Sequence, residues 1–206
     1  MATTTDLVIR PLTQERFGDL TALFEEGGDP KWCWCAYFRV RGIDFSNAGK
    51  ARHRSVLQAA VVDDAAEGRA PGLVAYEGDT AVGWISIGPR DEYERLAHSR
   101  VLAPVDDTPV WSIVCFVVGR RSRGRGVAAA LLDAGIAYAR DHGATMLEAY
   151  PAEIPEGERI ASANVYRGTV SMFERAGFKV VARRQWNAST PVRPIVRLDL
   201  GRGDRS

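Results

Sequence analysis

The stretch "VWSIVCFVVGRRSRGRGVAAALLDAG", residues 110–135, decides the reading of this chain. Val110 to Val118 form an almost unbroken apolar run, apolar on both alternating faces, which is the pattern of a central strand covered from two sides. Four arginines (Arg120, Arg121, Arg123 and Arg125) and three glycines (Gly119, Gly124 and Gly126) follow at once. Val127, Ala130, Leu131, Ala134 and Tyr138 then recur at helical steps, and Gly143 stands where such a helix would end. A strand that enters a helix through a glycine-rich turn leaves backbone N–H groups unpaired at the positive end of the helix dipole. Glycine lets an anion approach that backbone closely, and arginine adds charge-assisted hydrogen bonds. The turn therefore predicts a phosphate-bearing ligand.

Two nucleotide-binding motifs do not fit. Gly119 and Gly124 have the glycine spacing of a P-loop, but Arg125 and Gly126 stand where that loop needs lysine and a hydroxyl for Mg²⁺. The dinucleotide pattern fails because "GRGVAA" ends on Ala129, with no acidic residue closing a βαβ unit at the required distance.

The bulk composition narrows the partners. The chain has 206 residues, 46% hydrophobic and 26% charged, and its 27 basic and 26 acidic groups leave a net charge of +1. That is the make-up of an ordinary globular domain, and a single domain over residues 1–206 is expected. Near-neutrality argues against nucleic acid and anionic membrane as partners, so the arginines at 120–125 have a local task. The first residues lack a basic segment followed by an apolar one, and no apolar run approaches the roughly 18 residues of a membrane span. Three cysteines make no disulfide framework, which fits a reducing, cytoplasmic setting.

Outward from the central stretch, "DLVIRPL" reads as a first strand ending at Pro11. A helix follows, capped by Thr13, carrying Phe17, Leu20, Leu23 and Phe24 and stopped by Gly27 and Gly28. "DPKWCWCAYFRVRG" is consistent with a strand, a short helix or an ordered loop. "SNAGKARHRSVLQAAVVDDAAEGRA" is helix-like, in one or two pieces, with Ser46 or Asn47 as cap. "PGLVAYEGDTAVGWISIGPR" places two β-type runs around the turn "EGD", an antiparallel hairpin. A polar loop spans 89–109. Beyond the central stretch come a strand in "ATMLEAYPA", a short helix in "TVSMFERAG" stopped by Gly177, closing strands in "FKVVARRQW" and "RPIVRLDL", and a tail at 201–206.

The glycine-arginine turn resembles motif A of the GNAT superfamily of N-acetyltransferases, whose R/Q-x-x-G-x-G/A signature follows a central strand and opens a helix. Two registers match: Arg121 with Gly124 and Gly126, or Arg123 with Gly126 and Ala128. The second is preferred, because Val118 precedes "RGRGVA" by five residues and the pair Leu131, Leu132 follows on the helix. Arg120 replaces a proline usual in the family. "GDTAVGWISI" is similar to the family's second and third strands and "MFERAGFKVVAR" to its motif B, so the resemblance covers about residues 72–185 in order. It implies an α+β fold with a mostly antiparallel central sheet of about six or seven strands, flanked by helices and splayed between strands 4 and 5. It also implies acetyl-CoA as co-substrate, without a metal, and an amine acceptor. Main-chain groups of Phe116, Val117 and Val118 would then meet pantetheine, and the amides from Arg123 through Gly124, Arg125, Gly126 and Val127 to Ala128 would cradle the pyrophosphate. Dimers are common in the family, which leaves a homodimer open.

Transfer of acetyl to an amine requires removal of a proton, since a lysine-like amine with pKa ~10.4 is mostly protonated at neutral pH. Many members of the family use a motif B tyrosine to protonate the leaving thiolate, and here that position is Phe173. Tyr166 and Tyr150 are the alternative acids. Glu148, on one strand face with Tyr150, is the expected base, weighed against an ordinary salt bridge. His53 is expected at the surface, and His142 in a last helical turn has no expected catalytic role. "WCWC" has no second ligand pair for a metal, and an aromatic wall over the acceptor pocket in the extra segment 29–70 competes with plain core. A non-catalytic acyl-CoA sensor or scaffold of the same fold is the alternative function.

Overall fold

The computed structural model describes residues 7–153 and 166–201. Seven strands form one sheet in the order β1-β2-β3-β4-β5-β7-β6. Their ranges are β1 Leu7–Pro11, β2 Gly72–Glu77, β3 Thr80–Pro89, β4 Trp111–Val118, β5 Met146–Ala149, β6 Lys179–Arg184 and β7 Arg193–Asp199. All neighbours pair antiparallel except β4 and β5, which run parallel. A parallel pair needs a crossover, and helix α6 (Val127–Asp141) supplies it. The mostly antiparallel, helix-flanked sheet expected from the sequence is the sheet observed.

Two apolar layers cover the sheet. On one face α1 (Phe17–Glu25), α2 (Pro30–Cys33) and α4 (Lys50–Ala66) gather around Phe24, Trp34, Leu57 and Trp84, and the short α3 (Gly42–Asn47) stacks Phe45 on His53 of α4. On the other, α6 and the short α7 (Val170–Arg175) pack Leu131, Leu132 and Phe173 onto Ile85, Ile113 and Phe116. α6 seats closely because Gly83 faces it: a Cβ there would come 2.6 Å from Val127 Cγ1.

Three local expectations change. α1 begins at Phe17 with Arg16 at its cap and no side-chain cap bond, so Thr13 opens the preceding turn instead. Ser46 and Asn47 end α3, and extended Gly49 starts α4, because the chain breaks direction at Ala48 (ψ 149°). The polar loop at 89–109 contains a helical turn, α5 (Glu94–Ala97), buried through Leu96. Among the described residues no helix is long and apolar enough to cross a membrane. The expected tail lies, beyond Gly201, outside the described residues.

Two buried ionic networks fix the long connections. Asp64 at the end of α4 takes Arg69 at 2.6 Å, Arg69 also meets Glu92, and Arg39 reaches Glu92 at 3.4 Å. Burial pushes the carboxyls of Asp64 and Glu92 up, against the pull of Arg39 and Arg69. In the second network, Glu148 on β5 is fully buried. Its Oε1 accepts from Arg90 Nη1 at 2.9 Å and from the Tyr150 hydroxyl at 2.7 Å, and its Oε2 accepts from Arg197 Nε at 2.8 Å.

Candidate active site

The pairing of β4 with β5 is three rungs long: Trp111 with Leu147, Ser112 with Glu148, and Ile113 with Ala149. β4 runs on for five more residues without that neighbour. On its other edge Ser86 pairs with Cys115 and Ile87 with Ile113, so Val114 is an extra, bulged residue. Val114 and Cys115 consequently both join the α1–α4 layer, whereas Ile113 and Phe116 join the α6 layer. A bulge bends its strand, and this one falls where β5 ends at Ala149 and its pairing with β4 stops. Phe116 N–H donates to the Tyr166 carbonyl at 2.6 Å, and Val118 carbonyl accepts from Arg123 Nε at 3.2 Å.

At the end of β4 the chain passes through a 3₁₀ turn at Arg120–Ser122 and an extended Arg123 into Gly124 (φ 73°) and Gly126 (φ 83°). Both glycines are left-handed, a conformation that L side chains rarely adopt. A Cβ at either would meet nothing within 4 Å, so the space before the turn is clear. The first bond within α6 runs from Ala130 N–H to Gly126 carbonyl, so the N–H groups of Val127, Ala128 and Ala129 have no intrahelical acceptor. Arg125 pairs with Glu77 at 3.0 Å on the hairpin.

On the opposite side of β4 lies a cavity of about 650 Å³ whose wall includes Trp32, Cys33, Cys35, His53, Cys115 and Tyr166. The "WCWC" segment divides its residues between this wall and the core. Trp34 and Cys35 are left-handed (φ 47° and 51°), and Trp34 is fully buried between Phe17 and Phe24. Cys35 Sγ accepts from Trp84 Nε1 at 3.2 Å and lies 3.3 Å from Cys115 Sγ, two thiols in van der Waals reach without a disulfide. Among the described residues no group of three His, Cys, Asp or Glu is placed to hold a metal ion.

The three acid and base residues expected from the sequence separate. Tyr166 lines the 650 Å³ cavity, its hydroxyl 3.0 Å from where a Cβ on Gly28 would stand. Burial, then the nearby charge of Asp29, push its phenol up. Glu148 and Tyr150 line no described cavity: both are buried, and the Tyr150 hydroxyl also meets Ser112 Oγ at 2.9 Å. Phe173 is fully buried against Phe116 and Phe178. His53 corrects a sequence expectation: it is buried, stacked on Phe45 at 4.2 Å, with Nδ1 2.8 Å from Trp32 carbonyl and Nε2 3.2 Å from Phe45 carbonyl. The basic neighbours of His53 in sequence point it to water, but helical periodicity turns its side away from them, onto the aromatic segment. Asp29 is the only carboxylate on the cavity wall among the described residues, and sequence reasoning did not single it out.

A sheet that parts after three parallel rungs, next to left-handed glycines opening a helix, is the architecture of a transferase that draws its acyl group from a coenzyme A thioester. The model of the acetyltransferase (GNAT) family matches residues 31–178, and the chain belongs to that family. No curated protein matches it in sequence. Solved structures share the fold at low identity. A protein of the GNAT family from Desulfovibrio desulfuricans is 19% identical with a TM-score of 0.56, the match covering 95% of this chain and 100% of the other. PaiA N-acetyltransferase from Thermoplasma acidophilum, in complex with coenzyme A, is 14% identical with a TM-score of 0.53, covering 94% and 99%. An agmatine N-acetyltransferase is 13% identical with a TM-score of 0.59, covering 94% and 99%. Acetyl-CoA is the co-substrate of this fold. The clear space before Gly124 and Gly126 and the free length of β4 fit its diphosphate and its pantetheine arm.

Proposed function

We propose that the protein transfers the acetyl group of acetyl-CoA to a primary amine by direct attack within a ternary complex. The observation that carries this reading is the parting of β4 from β5 at the Val114 bulge, beside a glycine turn with open space before it. Phe116, Val117 and Val118 would hold the pantetheine arm through main-chain groups, with the Phe116 N–H exchanging its bond to Tyr166 for one to the substrate. The amides from Arg123 to Ala128 would hold the pyrophosphate. Acetyl-CoA supplies an activated thioester carbonyl and a thiolate leaving group.

Tyr166 is the residue we assign as acid. It lines the cavity that Cys115 of β4 also lines, and its raised pKa keeps the hydroxyl protonated across the neutral range, as proton donation to a thiolate requires. It takes the place left by Phe173, which is sealed in the core. Glu148, expected as base, has a different task in our reading. Both its oxygens already accept from guanidinium groups, so it anchors the 90–102 loop and β7 to β5, and Tyr150 completes that anchor. The amine proton passes to water or to Asp29 at the cavity wall.

Release of thiol from acetyl-CoA in the presence of a panel of amines tests the reading. Turnover with any primary amine supports it. Tight coenzyme binding with no turnover on any amine would replace it with the non-catalytic sensor.

A further inference from the structure

A second cavity, of about 510 Å³, opens next to the first, and the two share Tyr37, Phe38 and Arg167 as a common wall. Its lining includes Arg41, Arg95, Arg167 and Arg193 and no aspartate or glutamate. None of these four arginines forms a salt bridge with a carboxylate among the described residues, although the chain as a whole carries nearly as many acidic as basic groups. They come from four separate parts of the chain: the α2–α3 connection, α5, the segment before α7, and the start of β7. Chance surface basicity does not converge in this way.

Two of the four guanidinium groups are held by something other than a counter-charge. Arg95 lies 3.8 Å over the Tyr37 ring and donates from Nε to the Tyr37 carbonyl, while its Nη2 is buried without a hydrogen-bond partner. Arg167 lies over the rings of Tyr37 and Phe38. Burial, and then the charge of Arg193, hold the Arg167 guanidinium below its ordinary value. Aromatic faces tolerate these two cations and keep their forks in place, but no carboxylate lines the cavity to neutralise them.

We infer that the amine acceptor carries an anionic group, a carboxylate or a phosphate, received by Arg41, Arg95, Arg167 and Arg193, while its amine reaches past the shared wall toward Cys115 of β4. A planar or tetrahedral oxyanion matches the paired donors of guanidinium, and it brings the negative charge that the cavity lacks. A polyamine or any acceptor with a second cation meets repulsion at the same place. The inference rests on the transferase reading for the fate of the amine, but the anion site stands independently of it.

The test has two arms. In the first, calorimetry measures binding of 4-aminobutyrate, O-phosphoethanolamine, n-butylamine, ethanolamine and spermidine to the coenzyme-loaded protein and to the protein alone. The anion-bearing amines are expected to bind at least tenfold more tightly than their counterparts without an anionic group, and the carboxylate and phosphate series show which anion the cavity prefers. In the second, thiol release gives kcat/KM for the same amines. Arg41→Glu and Arg193→Gln are expected to raise KM for the anion-bearing acceptor at least tenfold and to leave the Kd for coenzyme A within twofold. n-Butylamine, ethanolamine or spermidine binding or reacting as well as the anion-bearing amines would overturn the inference. If no amine is acetylated but the anions bind and the two variants abolish that binding, the anion site holds and the transferase reading fails. Anion binding unaffected by both variants would sink the site even in an active enzyme.

Discussion

Phe116 N–H and the Tyr166 carbonyl meet at 2.6 Å across the gap that opens where β4 leaves β5. Tyr166 thus contributes twice: its backbone carbonyl pairs with β4 beyond the last rung shared with β5, and its phenol lines the cavity that Cys115 shares. Tyr166→Phe removes the hydroxyl and leaves the backbone bond. We expect kcat to fall by roughly 10²-fold, the usual scale for a general acid, and the Kd for coenzyme A to stay within twofold. The alkaline limb of the kcat–pH profile should flatten, because the phenol that must be protonated is gone. Unaltered kcat would return the acid role to water.

Gly126 stands at φ 83° with clear space before it. Gly126→Ala strains the backbone by about 1 kcal/mol, without filling the site. Gly126→Asp adds a negative charge where the diphosphate is received, and coenzyme affinity should fall by at least about 100-fold, since a charge at a few ångströms acts at the kcal/mol scale. Calorimetry on a folded variant, verified by circular dichroism, decides the point. Unchanged affinity for Gly126→Asp would remove the diphosphate from this turn.

How much of this was legible beforehand depends on how local each signal is. The hairpin at Gly78, the central strand and the helix opened by Gly126 each announce themselves in a few consecutive residues, and all three appear where expected. The Val114 bulge does not, because it is a mismatch of register between two strands, and an unbroken apolar run hides it. Glu148 alternates with Tyr150 as a catalytic pair on an exposed strand face would. Only the folded chain brings Arg90 and Arg197, 58 and 49 residues distant, onto its oxygens. The arginine cavity was invisible for the same reason, since its four members lie scattered over more than 150 positions.

Glu148→Ala is expected to destabilise the fold by about 3–5 kcal/mol, because the part-buried Arg90 loses its carboxylate partner and the buried Arg197 keeps only Asp106. Glu148→Gln keeps one acceptor oxygen and should cost less. Chemical denaturation gives both values. For a structural anchor the kcat–pH profile of folded Glu148→Gln keeps its shape, and loss of the acidic limb would instead restore Glu148 as a base.

Gly83→Val drives a branched side chain into Val127 and Leu131, which a bare Cβ would already meet at 2.6 and 2.9 Å. Overpacking of this kind costs about 1–3 kcal/mol. Since the displaced element is the first turn of α6, coenzyme affinity should drop together with stability. The two effects should separate at Gly135, where an added Cβ would meet Ile85 Cδ1 at 3.0 Å, two turns along the helix from the anion site. Gly135→Val is therefore expected to lower the melting temperature while coenzyme binding persists.

Cys33 lies on the wall of the larger cavity, and burial, then the neighbouring Cys35, push its thiol up to about 12. The thiolate is the reactive form, so a raised pKa keeps Cys33 protonated at pH 8 and makes its reactivity rise with pH far beyond the range of a free cysteine near 8.5. Iodoacetamide should alkylate it at least about tenfold more slowly than a small-molecule thiol at pH 8, with a rate still climbing at pH 10. Mass spectrometry on intact protein resolves the single adduct, since Cys35 and Cys115 are buried. An acceptor filling the cavity should slow the adduct further, and coenzyme A alone should slow it less. A rate matching free cysteine at pH 8 would show that the wall around Cys33 is open to water.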